Sequence, residues 1–201
     1  MEIQESGMKF QLEDNNCFRI EKHFLANTNC KNSTRNNKAC EFVTFANGRH
    51  VFVEAKSSAP KGPTGCVNDL RLNDQPMPDN WCAFDNYTSY LRDIAQKFID
   101  SFHILLAIAK GRHGEEERRH VNLPELFPDK GNVDFVLILN IPVMAGNVGR
   151  EPLAPLNAAL TNEMRPFLKT WKISPDTVKI CWPEKAQHLY GFLPEYAQTH
   201  V

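Results

Sequence analysis

Residues 40–56 read CEFVTFANGRHVFVEAK. The Asn-Gly pair at positions 47 and 48 separates two runs that are rich in β-branched and aromatic residues. This arrangement predicts a β-hairpin with a two-residue turn, because both turn residues must adopt φ > 0 and Asn and Gly do so most readily. With that turn, the numbers of facing residues sum to 95, so Glu41 lies opposite Glu54 with both side chains on one face.

Two carboxylates that face each other need a positive charge between them, since like charges directly opposite destabilise a sheet. Lys56 follows Glu54 on the same face, about 6–7 Å along the strand. A divalent metal ion is the natural candidate for the charge between the acids. The alternative is that Lys56 pairs with Glu41 or Glu54 as an exposed ion pair, worth about 0–1 kcal/mol. The hairpin alone leaves both interpretations open.

The composition predicts one domain that spans residues 1–201. The chain has 201 residues, of which 42% are hydrophobic, enough for one buried core. Its net charge of −1 excludes a general electrostatic attraction to nucleic acid or membrane, so any contact with a polyanion must be local. The six cysteines form no CxxC pair, which argues against a zinc ribbon and against a disulfide framework. The start lacks a signal-peptide pattern and no apolar run reaches membrane-spanning length, so we expect a cytoplasmic protein with reduced thiols and no membrane partner.

The hydrophobic pattern predicts alternating strands and helices around the hairpin. The short alternating run Phe18–Phe24 is typical of a strand, and residues 86–110 repeat apolar side chains every three or four positions, as an amphipathic helix does. Further along we expect a buried strand, a long helix, a short strand and a short helix, at 133–140, 153–171, 177–182 and 184–190. Pro166 is expected to kink or break the long helix.

Asp85 is the expected N-cap of the helix at 86–110, and Gly111 is its expected stop. The order of the predicted strands and helices indicates the fold class. Strand–helix–strand alternation after an antiparallel hairpin predicts an α/β fold, with a mixed central sheet that contains the hairpin and is flanked by helices.

The hairpin resembles the PD-(D/E)xK nuclease superfamily. In that superfamily an acidic residue and a (D/E)xK triplet on adjacent strands bind a divalent metal ion and cleave phosphodiester bonds. Here the triplet is Glu54-Ala55-Lys56, after the apolar Val51-Phe52-Val53, and Glu41 is the earlier acid. The resemblance covers residues 15–140 and implies a restriction-endonuclease-like core, with a helix and a strand between 150 and 201 as additions.

The resemblance implies a role for each residue of the motif. Glu41 and Glu54, together with the backbone carbonyl of Ala55, are expected to hold Mg²⁺ or Mn²⁺, which prefer oxygen ligands. Lys56 is expected to orient the attacking water or to offset charge in the transition state. Four further side chains are candidates for which an ordinary solvent-facing role is the simpler interpretation: Glu21 as a metal ligand, and Ser57, Ser58 and Lys97 as substrate-binding residues.

The implied activity is metal-dependent hydrolysis of phosphodiester bonds in nucleic acid, with DNA as the expected substrate. A homodimer and a role in defence or DNA processing also follow from the resemblance alone. Two alternatives remain open. One is a catalytically inactive member of the same fold that acts as an interaction or regulatory protein, and the other is a nucleotide-binding module.

Overall fold

The structure is a computed structural model and describes residues 1–23, 26, 38–57, 87–112, 114–119, 121, 123, 132–140 and 153–192. In these ranges the strands are β1 (Glu2–Glu5), β2 (Met8–Gln11), β3 (Cys17–Phe18), β4 (Phe42–Ala46), β5 (Arg49–Lys56), β6 (Val133–Leu139) and β7 (Val178–Cys181). The helices are α1 (Tyr87–Ala109), α2 (Glu115–Arg119), α3 (Leu153–Trp171) and α4 (Pro183–Tyr190). Short 3-10 helices lie at Ile20–Lys22 and Pro175–Thr177.

A five-stranded mixed sheet forms the centre of the fold. Its strand order is β3-β4-β5-β6-β7, in which β4 is antiparallel to β3 and β5, whereas β5, β6 and β7 are parallel. All seven residues of β6 are buried, as expected for a strand that is covered on both faces. The predicted α/β fold with a mixed sheet and flanking helices is therefore confirmed.

The β4–β5 hairpin has the predicted turn and register. Asn47 has φ 53° and Gly48 has φ 71°, as a two-residue turn of this type requires. The strand pairs run up to Phe42 opposite Val53, so the numbers of facing residues sum to 95. The predicted pairing of Glu41 with Glu54 is not part of this ladder, because the N–H of Glu41 donates to the carbonyl of Val53 at 3.0 Å, so Glu41 and Phe42 both lie opposite Val53, as in a β-bulge.

The two faces of the sheet bury separate clusters of apolar side chains. On one face α1 and α3 pack against the strands, and the largest side chains there are aromatic: Phe52, Phe98, Phe102, Phe135 and Phe167. On the other face the β1–β2 hairpin and α4 cover a smaller cluster that includes Ile3, Phe10, Phe42, Val53 and Phe192. Burying each such phenylalanine contributes about 1.5–3 kcal/mol, so both layers hold the β4–β5 hairpin in place.

The strand expected at Phe18–Phe24 is wrong. Only Cys17 and Phe18 pair with β4, and the chain then enters the 3-10 helix at Ile20–Lys22. Phe18, the last residue of β3, and Ile20, the first residue of the 3-10 helix, are both buried in the core. The alternating pattern that suggested a strand therefore comes from two buried side chains on opposite sides of the point where the chain leaves β3. The sequence reading also missed the β1–β2 hairpin, whose turn residues Ser6 and Gly7 have φ 50° and 74°.

Both long helices form where they were expected. Helix α1 ends in hydrogen bonds from Gly111 N–H to the Ile108 carbonyl (2.9 Å) and from Arg112 N–H to the Ala107 carbonyl (3.0 Å), a Schellman motif around a glycine with φ 65°. The expected cap Asp85 lies outside the described residues. Helix α3 continues through Pro166 without a break. No helix in the described part of the chain is long and apolar enough to cross a membrane.

Candidate functional site

Glu54 is at the C-terminal end of β5 and is completely buried, with 0% of its surface exposed. Two ammonium groups contact the same oxygen of this carboxylate. Lys56 Nζ lies 2.6 Å from Glu54 Oε1, and Lys97 Nζ, which comes from α1, lies 2.6 Å from it as well. The side chain of Lys56 lies on the same face of β5 as Glu54, because side chains alternate along a strand with a period of two. Lys97 reaches Glu54 because α1 packs on that face of the sheet.

Glu41, the residue immediately before β4, joins this group. Its Oε1 lies 3.8 Å from Lys56 Nζ and 4.0 Å from Lys97 Nζ. The structure therefore brings Glu41, Glu54 and Lys56 together on one face, and it places two lysines where the sequence required positive charge. The alternative of an exposed ion pair between Lys56 and an acid does not describe these contacts, because Glu54 is fully buried and Glu41 is nearly so.

Within the described part of the chain, the second oxygen of Glu54 lacks a hydrogen-bond partner. Among the described residues, no hydrogen-bond donor reaches the buried Oε2 atom. An unsatisfied buried carboxylate oxygen is costly, because it has lost its water without gaining a replacement. Such an atom, in a cluster that also contains Glu41, suits a hard cation, and the carboxylates of Glu41 and Glu54 are ligands of the kind that Mg²⁺ or Mn²⁺ prefers.

A second acidic group adjoins the first. Carboxylate oxygens of Glu5, Glu21 and Glu41 all lie within 4.8 Å of one another. The Arg19 guanidinium contacts two of them, at 3.1 Å from Glu5 Oε1 and 2.5 Å from Glu21 Oε1. The predicted additional ligand Glu21 is thus next to Glu41, and the arginine supplies part of the charge that three acids need.

Glu41 and Glu21 form a hydrogen-bonded pair of carboxyl groups whose pKa values move in opposite directions. Burial, the charge of Glu54 and a hydrogen bond to Glu21 raise the pKa of Glu41 to about 8, although the lysines oppose this. Burial also opposes ionisation of Glu21, but the hydrogen bond from Glu41 and the Arg19 guanidinium outweigh it and lower the pKa of Glu21. At neutral pH Glu41 is therefore largely the proton donor and Glu21 the charged acceptor.

Lys97 remains charged in spite of its partial burial. Burial favours the neutral amine, but the charge of Glu54, the hydrogen bond to it and the charge of Glu41 together raise the pKa of Lys97 above its usual value. Lys56 lies at the surface end of the same site, with 29% of its side chain exposed.

The carbonyl of Ala55 is engaged by the N-terminal hairpin. Ser6 Oγ donates to it at 2.9 Å, and Asn140 Nδ2 donates to the carbonyl of Ser6 at 2.8 Å. The turn of the β1–β2 hairpin therefore lies at the end of β5 and β6, close to the carboxylates. A Cβ on Gly7 would lie 3.1 Å from Asn140 Nδ2, so this approach suits a glycine.

The remaining predicted residues divide between those described and those not. Ser57 follows β5 and is exposed, whereas Ser58 lies outside the described residues. Sequence reasoning missed Glu5 and Arg19 as members of the site. A signal for Glu5 was present, because Ser6-Gly7 stands between the alternating apolar residues Ile3 and Met8, which is typical of a tight hairpin.

A separate groove runs along the outer edge of β7, between α3 and α4. It has a volume of about 1130 Å³, and none of the candidate catalytic residues lines it. Asn157 Oδ1 accepts the N–H of Ile180 at 2.8 Å, which occupies one of the outward donors of this edge strand. The site at Glu41 and Glu54 is thus a compact charged cluster and not part of this groove. No protein-family model, curated protein or solved structure matches the chain.

Proposed function

We propose that this protein is a metal-dependent nuclease that hydrolyses phosphodiester bonds in nucleic acid, with DNA as the substrate. One observation carries the proposal. Among the described residues, no donor reaches one carboxylate oxygen of the fully buried Glu54, in a cluster that also holds Glu41 and two lysines. Carboxylates and lysines at close range are the groups that bind a divalent cation and a phosphodiester.

Each residue has a distinct task in this proposal. Glu41 and Glu54 hold Mg²⁺ or Mn²⁺, and Glu21 is near enough to Glu41 to assist. A bound divalent ion supplies a Lewis acid that polarises the phosphate and lowers the pKa of water. Lys56 places a positive charge beside the phosphate and stabilises the negative charge that develops on its oxygens. The Ala55 carbonyl can serve as a ligand only through an oxygen that already accepts a hydrogen bond from Ser6.

The topology supports the same proposal. An antiparallel hairpin carries the acid and the Glu-x-Lys triplet, helix α1 follows, and β6 then lies parallel to β5. This is the order that the PD-(D/E)xK resemblance implies for residues 15–140. Helix α3 and strand β7 would extend that core. The proposal also includes a homodimer, which sedimentation velocity tests.

Metal binding and cleavage are tested separately. Thermal unfolding is followed during a Mn²⁺ titration, where we expect stabilisation in the natural protein and none in Glu54→Gln. Cleavage of plasmid, single-stranded DNA and RNA is then measured with Mg²⁺, and Lys56→Ala is expected to lose at least about a hundredfold in rate, as for removal of one charge-stabilising group. Glu163→Gln is the matched control, because Glu163 is an acid on α3 whose ion pair, with Arg92 at 3.5 Å, involves none of the candidate residues.

A second candidate function rests on the lysines themselves. Lys56 and Lys97 already neutralise Glu54 within the protein, so the cluster is electrostatically stable as a purely structural network. A non-catalytic protein of this fold, acting as an interaction or regulatory partner or as a nucleotide-binding module, would need nothing more. Mn²⁺ binding without cleavage of any DNA or RNA favours that candidate over the nuclease.

A further inference from the structure

Lys97 is an unusual neighbour for a metal-binding carboxylate. Its Nζ and that of Lys56 both lie 2.6 Å from the same Glu54 oxygen, although two ammonium groups at such short range repel each other. Lys56 comes from the hairpin motif, whereas Lys97 comes from α1, more than forty residues away in the chain. The second lysine is therefore an addition that the motif itself does not explain.

Lys97 opposes a divalent ion at Glu54 through charge repulsion, because an ion on Oε2, the oxygen that no described donor reaches, would lie beside the ammonium group on Oε1. Mg²⁺ binds a carboxylate oxygen at about 2.0–2.1 Å, whereas Oε1 already lies 2.6 Å from two ammonium groups and accepts a hydrogen bond from Lys97. Lys97 also lies 4.0 Å from Glu41, so it opposes the approach of a cation to both acids. About 23% of its side chain is exposed, so its long stem allows the ammonium to turn toward solvent without unfolding α1.

We infer that Lys97 couples metal binding to nucleic-acid binding. In the free protein its ammonium group pairs with Glu54, and when the substrate binds, the side chain moves so that the same ammonium group pairs with a backbone phosphate instead. The inference rests on the proposed function, since it assumes that Glu54 is a metal ligand. A phosphodiester offers Lys97 a new anion and releases the carboxylate, so each ligand strengthens the binding of the other. Such coupling is reciprocal by linkage.

The coupling is measured without any cleavage step. The dissociation constant of Mn²⁺ is determined by electron paramagnetic resonance, with and without a cleavage-resistant phosphorothioate DNA duplex. We expect the duplex to tighten Mn²⁺ binding about tenfold or more in the natural protein, the scale of one charge-assisted hydrogen bond. In Lys97→Gln we expect Mn²⁺ to bind about tenfold more tightly without DNA, and the duplex to add little.

Two further variants support the interpretation. Lys97→Met also lacks the charge, so it should reproduce the tighter Mn²⁺ binding, and circular dichroism checks that both variants fold. Lys38→Gln removes an exposed lysine whose ammonium group lies 2.6 Å from Asp93 of α1, the helix that also carries Lys97. This variant should bind Mn²⁺ and DNA as the natural protein does. This control separates a local effect at Glu54 from a change in net charge.

The possible results distinguish this inference from the nuclease proposal. If both Lys97 variants bind Mn²⁺ no more tightly than the natural protein, or if DNA tightens binding equally in all of them, the inference is overturned. If the Lys97 effects are present but no nucleic acid is cleaved, the coupling stands and the nuclease proposal fails. If the natural protein does not bind Mn²⁺, both fail.

Discussion

The backbone N–H of Cys40 donates a 2.8 Å hydrogen bond to the side-chain hydroxyl of Ser101, and both residues are fully buried. This bond joins the residue before Glu41 to the middle of α1. Because Lys97 is one helical turn before Ser101, the same helix fixes the backbone that carries one acid of the candidate site and the lysine that contacts the other.

Ser101→Ala tests this link between the helix and the hairpin. The substitution leaves the buried N–H of Cys40 without an acceptor, so we expect the free energy of unfolding to fall by about 1–3 kcal/mol. Urea denaturation followed by circular dichroism measures the change. Ser89→Ala, at an exposed position of the same helix, should stay within about 0.5 kcal/mol of the natural protein. Equal stabilities for the two variants would contradict the proposed importance of the bond.

The turn at Asn47-Gly48 sets the register that places the acids. Gly48 has φ 71°, and a Cβ there would meet no atom within 4 Å, so substitution introduces backbone strain but no clash. We expect Gly48→Ala to destabilise the protein by about 1–2 kcal/mol. Gly48→Asn is the matched comparison, since asparagine tolerates this conformation better and should cost less. Thermal unfolding that ranks the two variants in the opposite order would be inconsistent with strain as the cause.

The hairpin was predictable because its signal is local. The Asn-Gly turn and the alternation around it determine the register, and from the register the shared face of Glu54 and Lys56 follows. The same kind of signal was present at Ser6-Gly7, where the sequence reading overlooked it. In contrast, the run at Phe18–Phe24 contains an alternation that is compatible with a bend as well as with a strand, and only the packing of Ile20 decides between them.

The assembly of the site depends on contacts that no local pattern encodes. The position of Lys97 on the polar flank of α1 was visible in the sequence, but its distance from Glu54 depends on how the helix packs against the sheet. The meeting of Glu5, Glu21 and Glu41 likewise requires the N-terminal hairpin to reach the end of β5. The charge balance was therefore predicted in kind, and Lys56 was one of the two sources that the hairpin left open, whereas the contribution of Lys97 to it was not predicted.

Glu54→Gln tests the charge balance directly. Glutamine has nearly the same shape, but it leaves Lys56 and Lys97 facing each other without an anion. We expect a loss of about 1.5–3 kcal/mol, the range for hydrogen bonds to charged groups. The lysines are partly exposed, so the cost should stay below the roughly 3–5 kcal/mol of a fully buried pair. Equilibrium denaturation without divalent ions gives the value.

A double-mutant cycle identifies the source of that loss. Removing the charge of Lys97 should cost less in the Glu54→Gln background than in the natural protein, with a coupling of about 0.5–3 kcal/mol. Glu163→Gln, in which the partly exposed pair with Arg92 is broken, should change stability by no more than about 1 kcal/mol. A coupling near zero would mean that the lysine and the carboxylate contribute independently to stability.

The protonation of Glu41 makes stability depend on pH in a specific direction. Its pKa is about 8 in the folded protein and near the ordinary 4.5 in the unfolded chain. Below pH 4.5 both states hold the proton and its contribution to stability is fully present. Between about 4.5 and 8 only the folded state keeps it, so the free energy of unfolding falls as pH rises, by up to about 1.4 kcal/mol per pH unit for one proton. The lowered pKa of Glu21 acts in the opposite direction, but only at more acidic pH.

Glu41→Gln should remove this slope, because glutamine keeps a donor for Glu21 and has no proton to lose. In buffers that contain EDTA, urea denaturation at a series of pH values from 5 to 9 should give similar stabilities for the two proteins near the acidic end. At the alkaline end the variant should be the more stable one, since only the natural protein has to bury a second carboxylate beside Glu54. Glu116→Gln, at an exposed position of α2, should retain the natural slope. A slope that persists in Glu41→Gln would assign the titration to another group and would remove the argument that Glu41 carries this proton.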